Sequence, residues 1–523
     1  MSIKSYFTRP LQTLLVFLFV NLTVAQDLDN ASKTNVLLVT VDDMNWNSVG
    51  AYGASLPNLT PNIDQLAQEG MRFERAYVQA PNCSPSRSVF QTSLYPHQSG
   101  MRGFFYATPN NETLPEILKA NGYFTGVLNK AADSSLSPDF DRYWDVTKSL
   151  SGANKRSAQV YGELLEDFLS KVQKEEKPFY CVINIADPHK PFYNDTQSKK
   201  MGFDVFGPTK LYDLDDIELP SFLPNHPTIK QEMQNYIHSV KRADDCFGAI
   251  KNTLNRSKFA KNTIVVFISD HGMPFPYAKS SLYENGLRTP WIVSWPNKTA
   301  PGSINDTELI SAIDFMPTIL DCLALPIPEK SQGISHKEAI LGEESRNARF
   351  VFGQFDENAG GIPRPSRAVI SKSYGYIFNA WATGKYPFTS AASSHPTYKT
   401  MRQMAQHHQE VKERFDHWLY RSVEELYDYE KDPNALNNLI DNPAYSEVVD
   451  EMRQELRTWM KNTNDYLLPA FDNKENPKKL NRWMENQIKQ AEVITKKYKW
   501  KRGKNQSGST KANKALFDPN SIK

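Results

Sequence analysis

Three stretches of this 523-residue chain read as strands buried on both faces, and each ends in acidic or imidazole side chains. Thr34 to Val41 (TNVLLVTV) runs into Asp42-Asp43, and Pro178 to Ala186 (PFYCVINIA) runs into Asp187-Pro188-His189. Thr263 to Ser269 (TIVVFIS) runs into Asp270-His271-Gly272. A continuous apolar, β-branched run of this kind suits a strand covered by helices on two sides. Helical patterns lie between them, over Pro61 to Gly70, over Leu114 to Ala120 before Asn121-Gly122, and over Lys230 to Asn252. Thr125 to Leu128 and Trp291 to Trp295 add further strands. The alternation predicts an α/β fold with a central, mostly parallel sheet flanked by helices. Open sheets of this kind bind ligands at the C-terminal ends of their strands. Asp42, Asp43, His189, Asp270 and His271 all fall at that edge.

The texture changes after about Leu341. Ala368 to Asn379 alternates like a hairpin strand, Glu425 to Tyr429 is a short strand, and Tyr445 to Asn462 is an amphipathic helix. The expected organisation is a large domain over 26–340 and a smaller C-terminal α+β subdomain over 341–473. A Lys-rich tail over 474–523 carries a helix over Leu480 to Tyr498 and a polar, disordered end from Gly503. Substrate-selecting loops are expected over Met101 to Asn111, Thr196 to Pro224 and Gly353 to Arg367, with help from Trp381 to His395.

Lys4 and Arg9 precede an apolar run from Leu11 to Val24, and Val24-Ala25-Gln26 offers a cleavage point. Residues 1–25 therefore read as a signal peptide, which predicts a periplasmic or secreted protein without stable membrane insertion. The net charge of +2 gives no global attraction to nucleic acid, so any anion site must be a local cluster of cations. Four cysteines are too few for a disulfide scaffold in a secreted chain of this length. Cys181 and Cys246 lie in apolar or helical contexts and read as buried thiols, with one disulfide open to them. Cys83 lies in a polar, Pro-rich stretch that reads as a loop, an unusual place for a core cysteine.

Adjacent carboxylates repel unless a cation lies between them. Asp42, Asp43 and Asp270 thus form an oxygen-rich set suited to a hard divalent ion, Ca²⁺ or Mg²⁺. Each taken alone also serves as an ordinary cap of a turn. His271 either joins that ion, orients a nucleophile, or occupies a turn. Cys83-Ser84-Pro85-Ser86-Arg87 is the sharpest local signal, a cysteine with a cation nearby.

This pentapeptide resembles the Cys-x-Pro-Ser-Arg signature of the formylglycine-dependent sulfatases, and the likeness continues through Ser88, Thr92, Leu94, Tyr95-Pro96-His97 and Gly100. Other segments match in turn: Asn35 to Asp43, Gly122 to Lys130, Asp187-Pro188-His189, Ser269 to Gly272, Lys279 with Leu282 to Gly286 and Arg288, and Glu425 to Asp428 with Asp432-Pro433 and Asn438-Leu439. Met273-Pro274-Phe275-Pro276 and Asp314 to Asp321 are closest in wording to the heparan N-sulfatase-like branch. The resemblance implies an alkaline-phosphatase-like fold and a bacterial polysaccharide sulfatase. It implies that a formylglycine-generating enzyme oxidises Cys83 to an aldehyde whose hydrate attacks sulfur. It implies a metal site of Asp42, Asp43, Asp270, His271 and modified Cys83. Lys130, Lys279, His189 and His97 are implied on the substrate side, with Arg87 holding the nucleophile segment. Proton transfer falls to His189 or Lys279 at the leaving atom and to His271 at the nucleophile. Tyr283, Glu284 and Arg288 read as structural. The implied partner is a sulfated carbohydrate such as ulvan, carrageenan or a heparan-type glycan. A phosphatase or phosphonate hydrolase of the same superfamily, and a non-catalytic glycan binder, are the competing readings. Two positions depart from the family pattern: Asn129 where glycine is usual, and Ala132 where histidine is usual.

Overall fold

The computed structural model describes residues 33–107, 111–343, 349–358 and 362–497. The expected signal peptide and the polar end from Gly503 lie outside the described residues. The strands are β1 (Asn35–Asp42), β2 (Met71–Phe73), β3 (Ala76–Tyr77), β4 (Phe124–Leu128), β5 (Val146–Lys148), β6 (Phe179–Pro188) and β7 (Thr263–Ser269). They continue with β8 (Trp291–Ser294), β9 (Ser303–Asn305), β10 (Ile310–Ser311), β11 (Val351–Glu357), β12 (Pro363–Ile370), β13 (Tyr374–Asn379) and β14 (Glu424–Asp428).

The central sheet has the order β5-β4-β6-β1-β7-β8-β2-β9. β1 lies between β6 and β7 and is parallel to both, while β8 runs antiparallel to β7 and β2. Every residue of β1, β6 and β7 is buried, as continuous apolar runs require. Helix Ala158–Glu175 buries Tyr161, Leu165, Phe168, Leu169 and Val172, a stripe at helical spacing, and packs on helix Pro227–Arg256 over the sheet. Each large apolar side chain so buried contributes roughly 1.5–3 kcal/mol. The register sets Thr40 opposite Asn184, Val41 opposite Ser269, and Asp42 opposite Pro188, so the polar ends of β1, β6 and β7 arrive together.

The second sheet is antiparallel, in the order β11-β12-β13-β14. Two expectations need correction here. The stretch Gly353 to Arg367 is mostly strand, not loop, and Ala368 to Asn379 comprises the end of β12, a turn, and β13. Polar residues hid the pattern, because Arg364 and Arg367 are buried within β12. The tail helix spans Pro477–Lys497. All four cysteines are buried and free, so Cys181 and Cys246 form no disulfide. No helix among the described residues is long and apolar enough to cross a membrane.

Candidate active site

Cys83 is not in a loop. It opens helix Cys83–Thr92 and is 1% exposed. Asn82 is extended at φ −153°, which starts the helix, and Pro85 falls in the first turn, where a missing N–H costs nothing. The Pro and the two serines that suggest a loop in sequence are first-turn residues. The helix N-terminus therefore points its partial positive charge at the position of the thiol.

The strand ends converge on that thiol. Cys83 Sγ lies 3.3 Å from Asp42 Oδ1, 3.4 Å from His271 Nε2 and 3.7 Å from Lys279 Nζ. Lys279 Nζ donates to Asp43 Oδ1 at 2.6 Å, and His271 Nε2 is 3.3 Å from the same oxygen. Asp270 Oδ1 accepts from the Asp43 N–H at 3.1 Å, and Lys130 pairs with Asp42 Oδ2. Arg87 uses its fork across the site and not along its own segment: one nitrogen reaches Thr40 and Asn184, the other Asp270 Oδ2 at 2.9 Å. Thr40 and Asn184 were not singled out in the sequence. Their signal was a polar residue in each of two otherwise apolar strands that become neighbours.

Several non-glycine residues of these segments hold left-handed backbone: Asp43 (φ 73°), Asn129 (φ 67°), Lys130 (φ 49°), Tyr277 (φ 68°) and Ser280 (φ 67°). Such strain persists where surrounding contacts over-determine it, and it gathers at functional sites. Asn129 fits its position because asparagine tolerates this conformation best after glycine. Its amide also donates to Tyr161 Oη at 3.1 Å and to the Asn184 carbonyl at 2.9 Å. Gly272 has no room for a side chain: a Cβ there meets the Asn285 carbonyl oxygen at 1.8 Å.

The charges balance among themselves. Asp42, Asp43 and Asp270 face Arg87, Lys130 and Lys279. Burial works against ionised Asp270, but His271, Arg87, Lys130 and Lys279 outweigh it and hold the carboxyl well below its usual range. Burial also works against charged Lys279, yet Asp43 and Cys83 keep its pKa raised. His271 is pushed down, by burial first and then by Lys279. Its Nδ1 donates to the Gly272 carbonyl at 3.0 Å, so the neutral ring presents the Nε2 lone pair to the carboxylates.

That arrangement fits a metal ion. Ligand atoms of Asp42, Asp43, Cys83 and His271 all lie within 4.8 Å of one another. Asp43 Oδ2 is buried without a hydrogen-bond partner. A lone pair and carboxylate oxygens facing one point repel unless a cation sits there.

The remaining candidates divide. His189 follows Pro188 at the end of β6, its Nδ1 donating to the Lys190 carbonyl at 2.6 Å, and it lines a cleft of about 980 Å³ with Lys190, Gln231 and His395. His97 stands elsewhere. Its Nδ1 bonds Gln354 at 2.7 Å, its Nε2 faces the Thr463 carbonyl at 3.3 Å, and its ring packs on Tyr95 and Trp459. Both nitrogens are engaged in joining the short helix Pro96–Ser99 to β11 and to the end of helix Ser446–Asn462, so the structure does not bring His97 to the carboxylates and lysines. Tyr283 donates to Glu425 at 2.8 Å and Glu284 pairs with Arg288, as structural residues do. Ala132 lies in the short helix Ala131–Ser134 directly after Lys130.

Comparison with known proteins agrees with this geometry. The human N-sulphoglucosamine sulphohydrolase is 26% identical over 473 residues, covering 85% of this chain and 93% of its own. An ulvan-active sulfatase of Formosa agariphila is 25% identical over 484 residues, covering 83% and 76%. The solved structure of a 2-O GAG sulfatase shares the fold with a TM-score of 0.62 at 20% identity, over 83% of this chain and 93% of that one. The sulfatase family model matches residues 34–325. With that match over more than half its length, on the strands and helix that carry the Cys83 cluster, this chain belongs to the sulfatase family and is a sulfuric ester hydrolase.

Proposed function

We propose that the protein releases sulfate from a sulfated glycan of the glycosaminoglycan or ulvan type. Catalysis then needs a formylglycine made from Cys83 and a divalent ion, Ca²⁺ or Mg²⁺, held by Asp42, Asp43, Asp270 and His271. The observation that carries this reading is the donor set around Cys83. Sulfur is a soft ligand set among hard carboxylate oxygens. Replacing Sγ by an oxygen of a hydrated aldehyde makes the set uniformly suited to a hard ion.

The hydrate supplies the attacking hydroxyl, and the ion supplies charge at the sulfate oxygens. The chain's own residues do the rest. Three carboxylates already balance three cations, so a bound divalent ion leaves the cluster with excess positive charge, which favours an anionic sulfate. Lys130 and Lys279 are fixed by Asp42 and Asp43 in positions to hold sulfate oxygens. Lys279, kept charged, is a proton donor within reach of the nucleophile's position. His189 lines the cleft beside the strand end that carries Asp42, where a leaving sugar departs. Arg87 orients the carboxylates through Asp270. Residues 1–25 support export to the periplasm or outside the cell, where such polymers are met.

The test uses protein co-produced with a formylglycine-generating enzyme, with mass spectrometry of the Cys83 peptide. Sulfate release from a panel of glycosaminoglycan and ulvan oligosaccharides is expected, and Cys83→Ala should lower it by about 10⁴-fold or more, as loss of a nucleophile does. A confirmed aldehyde with no sulfate release, but with cleavage of phosphate esters, overturns the reading.

A further inference from the structure

The cleft beside the charged cluster is a second built feature. We propose that it binds the sugar residues beyond the sulfated one through their hydroxyl groups, making this an enzyme of oligosaccharides and not of free monosaccharides. This rests on the sulfatase reading of the Cys83 cluster.

Position comes first. Pro188 pairs with Asp42 across β6 and β1, and the next residue, His189, lines the cleft. On the opposite wall His395 comes from the C-terminal part of the chain. Its Nδ1 donates to the Pro274 carbonyl at 3.1 Å. Pro274 lies between His271 and Lys279, and the preceding Met273 carbonyl accepts from the Lys279 N–H at 3.0 Å. The cleft therefore adjoins the segments that carry the cluster, with Lys279 near enough to act electrostatically on His395, while its lining is made of other residues. Its volume of about 980 Å³ is at the top of the roughly 300–1,000 Å³ usual for ligand pockets, which leaves space for more than one ring.

Chemistry comes second. Asn194, Thr228, the Gln231 amide oxygen and the Asn235 amide nitrogen on the walls offer donors and acceptors together, as hydroxyl recognition requires, while the Gln231 nitrogen donates to Asn235 Oδ1 at 3.2 Å. Two lysines and two carboxylates line the cleft, Lys190, Lys199, Asp195 and Glu232, and their charges cancel. Lys190 is bound to Glu232, and Asp195 accepts from the Ser198 and Phe192 N–H groups at 2.7 and 2.8 Å. A second sulfate or carboxylate thus meets a wall without net charge. With its Nδ1 committed to a carbonyl, His395 keeps Nε2 for contact with a hydroxyl.

Rigidity comes third. Glu232, 4% exposed, holds both walls. It binds Lys190 on one side and accepts from Thr397 N and Oγ1 at 2.6 Å on the other, at the start of helix Pro396–Met404. A site fixed before binding avoids the entropy of ordering its walls. Glu232 is in this sense a positioning residue. Nothing in its sequence neighbourhood marked it.

The test takes the matured full chain and compares a sulfated tetrasaccharide, the matching sulfated monosaccharide and para-nitrocatechol sulfate. Wild type is expected to favour the tetrasaccharide over the monosaccharide by at least about tenfold in kcat/KM, equally at low and high salt. Gln231→Trp, placed on an exposed helix position, fills the cleft without disturbing the core. It should remove that preference, about tenfold, chiefly through KM. Equilibrium binding of the desulfated tetrasaccharide is measured alongside and should weaken by a similar factor. An unchanged preference and affinity in Gln231→Trp overturns the proposal, and so does a preference that collapses with salt. Failure to hydrolyse any of the three sulfates, with the aldehyde confirmed, overturns the sulfatase reading instead, and the binding measurement still decides the cleft.

Discussion

His271 and His336 are both 0% exposed, yet they do opposite things. His336 lies between two carboxylates, Nδ1 at 2.7 Å from Glu308 and Nε2 at 3.1 Å from Asp314. Burial opposes its charge, but the two hydrogen bonds prevail and its pKa is pushed up to about 9. It is a closed cation with every donor used. His271 has one nitrogen committed to a carbonyl and offers the other, unprotonated, to a thiol and carboxylates. Burial alone distinguishes nothing here. Closure marks a structural charge, and acceptors converging on one point mark a group that could hold a cation.

The sharpest attempt to break this contrast is Asp43→Asn. It should lower sulfate release by about 10³-fold, since one ligand and the partner of Lys279 are lost together. Calcium should raise the Tm of the wild type, as any ligand of the native state does, and should leave that of Asp43→Asn almost unmoved. An undiminished calcium shift in the variant removes Asp43 from the metal site.

His336→Leu tests the other arm. Two buried carboxylates then lose their cation, which costs about 3–5 kcal/mol in urea unfolding. The same variant should keep its calcium shift and its activity per folded molecule to within about twofold. Equal losses of stability and of activity per folded molecule erase the distinction between the two histidines.

The pH dependence follows from the same group. A histidine whose folded pKa lies above its unfolded value of 6.5 stabilises fully below pH 6.5, and that contribution is lost as pH rises through about 9. Wild type should therefore lose a few kcal/mol between those limits. His336→Leu should lack that part of the slope in a series of Tm measurements. A wild-type slope identical to that of the variant dismisses the His336 charge.

Much of this was legible in the residues. The runs at Val36 to Val41, Tyr180 to Ile185 and Ile264 to Ile268 are mostly apolar because helices cover both faces, and their polar ends meet at one edge of the sheet. Cys83 was visible but its helix was not, because serine and proline read as loop residues until one sees that they occupy a first turn. His97 sits among residues that carry the motif while its own ring packs toward Trp459, a contact 362 positions away that no local pattern encodes. Glu232 escaped for the same reason, as a polar residue on a long helix, whereas His395 ends the stretch Trp381 to His395 that was expected to help select substrate; only the tertiary structure sets the two across one cleft.

The smallest effect concerns Asn129, where the family pattern has glycine. If the left-handed backbone at φ 67° sets the preference, two substitutions should separate its terms. Asn129→Gly removes the strain but loses the bonds to Tyr161 and Asn184 and adds freedom to the unfolded chain, for a net cost of about 1 kcal/mol. Asn129→Ala loses the same bonds and keeps the strain, which adds about 1–2 kcal/mol. Lys130, the next residue, is also left-handed, at φ 49°, and carries the ion pair to Asp42, so kcat should fall further in the alanine variant than in the glycine one, by roughly threefold. Equal stability and equal kcat in the two variants show that the hydrogen bonds, and not the backbone conformation, decide which residue stands before Lys130.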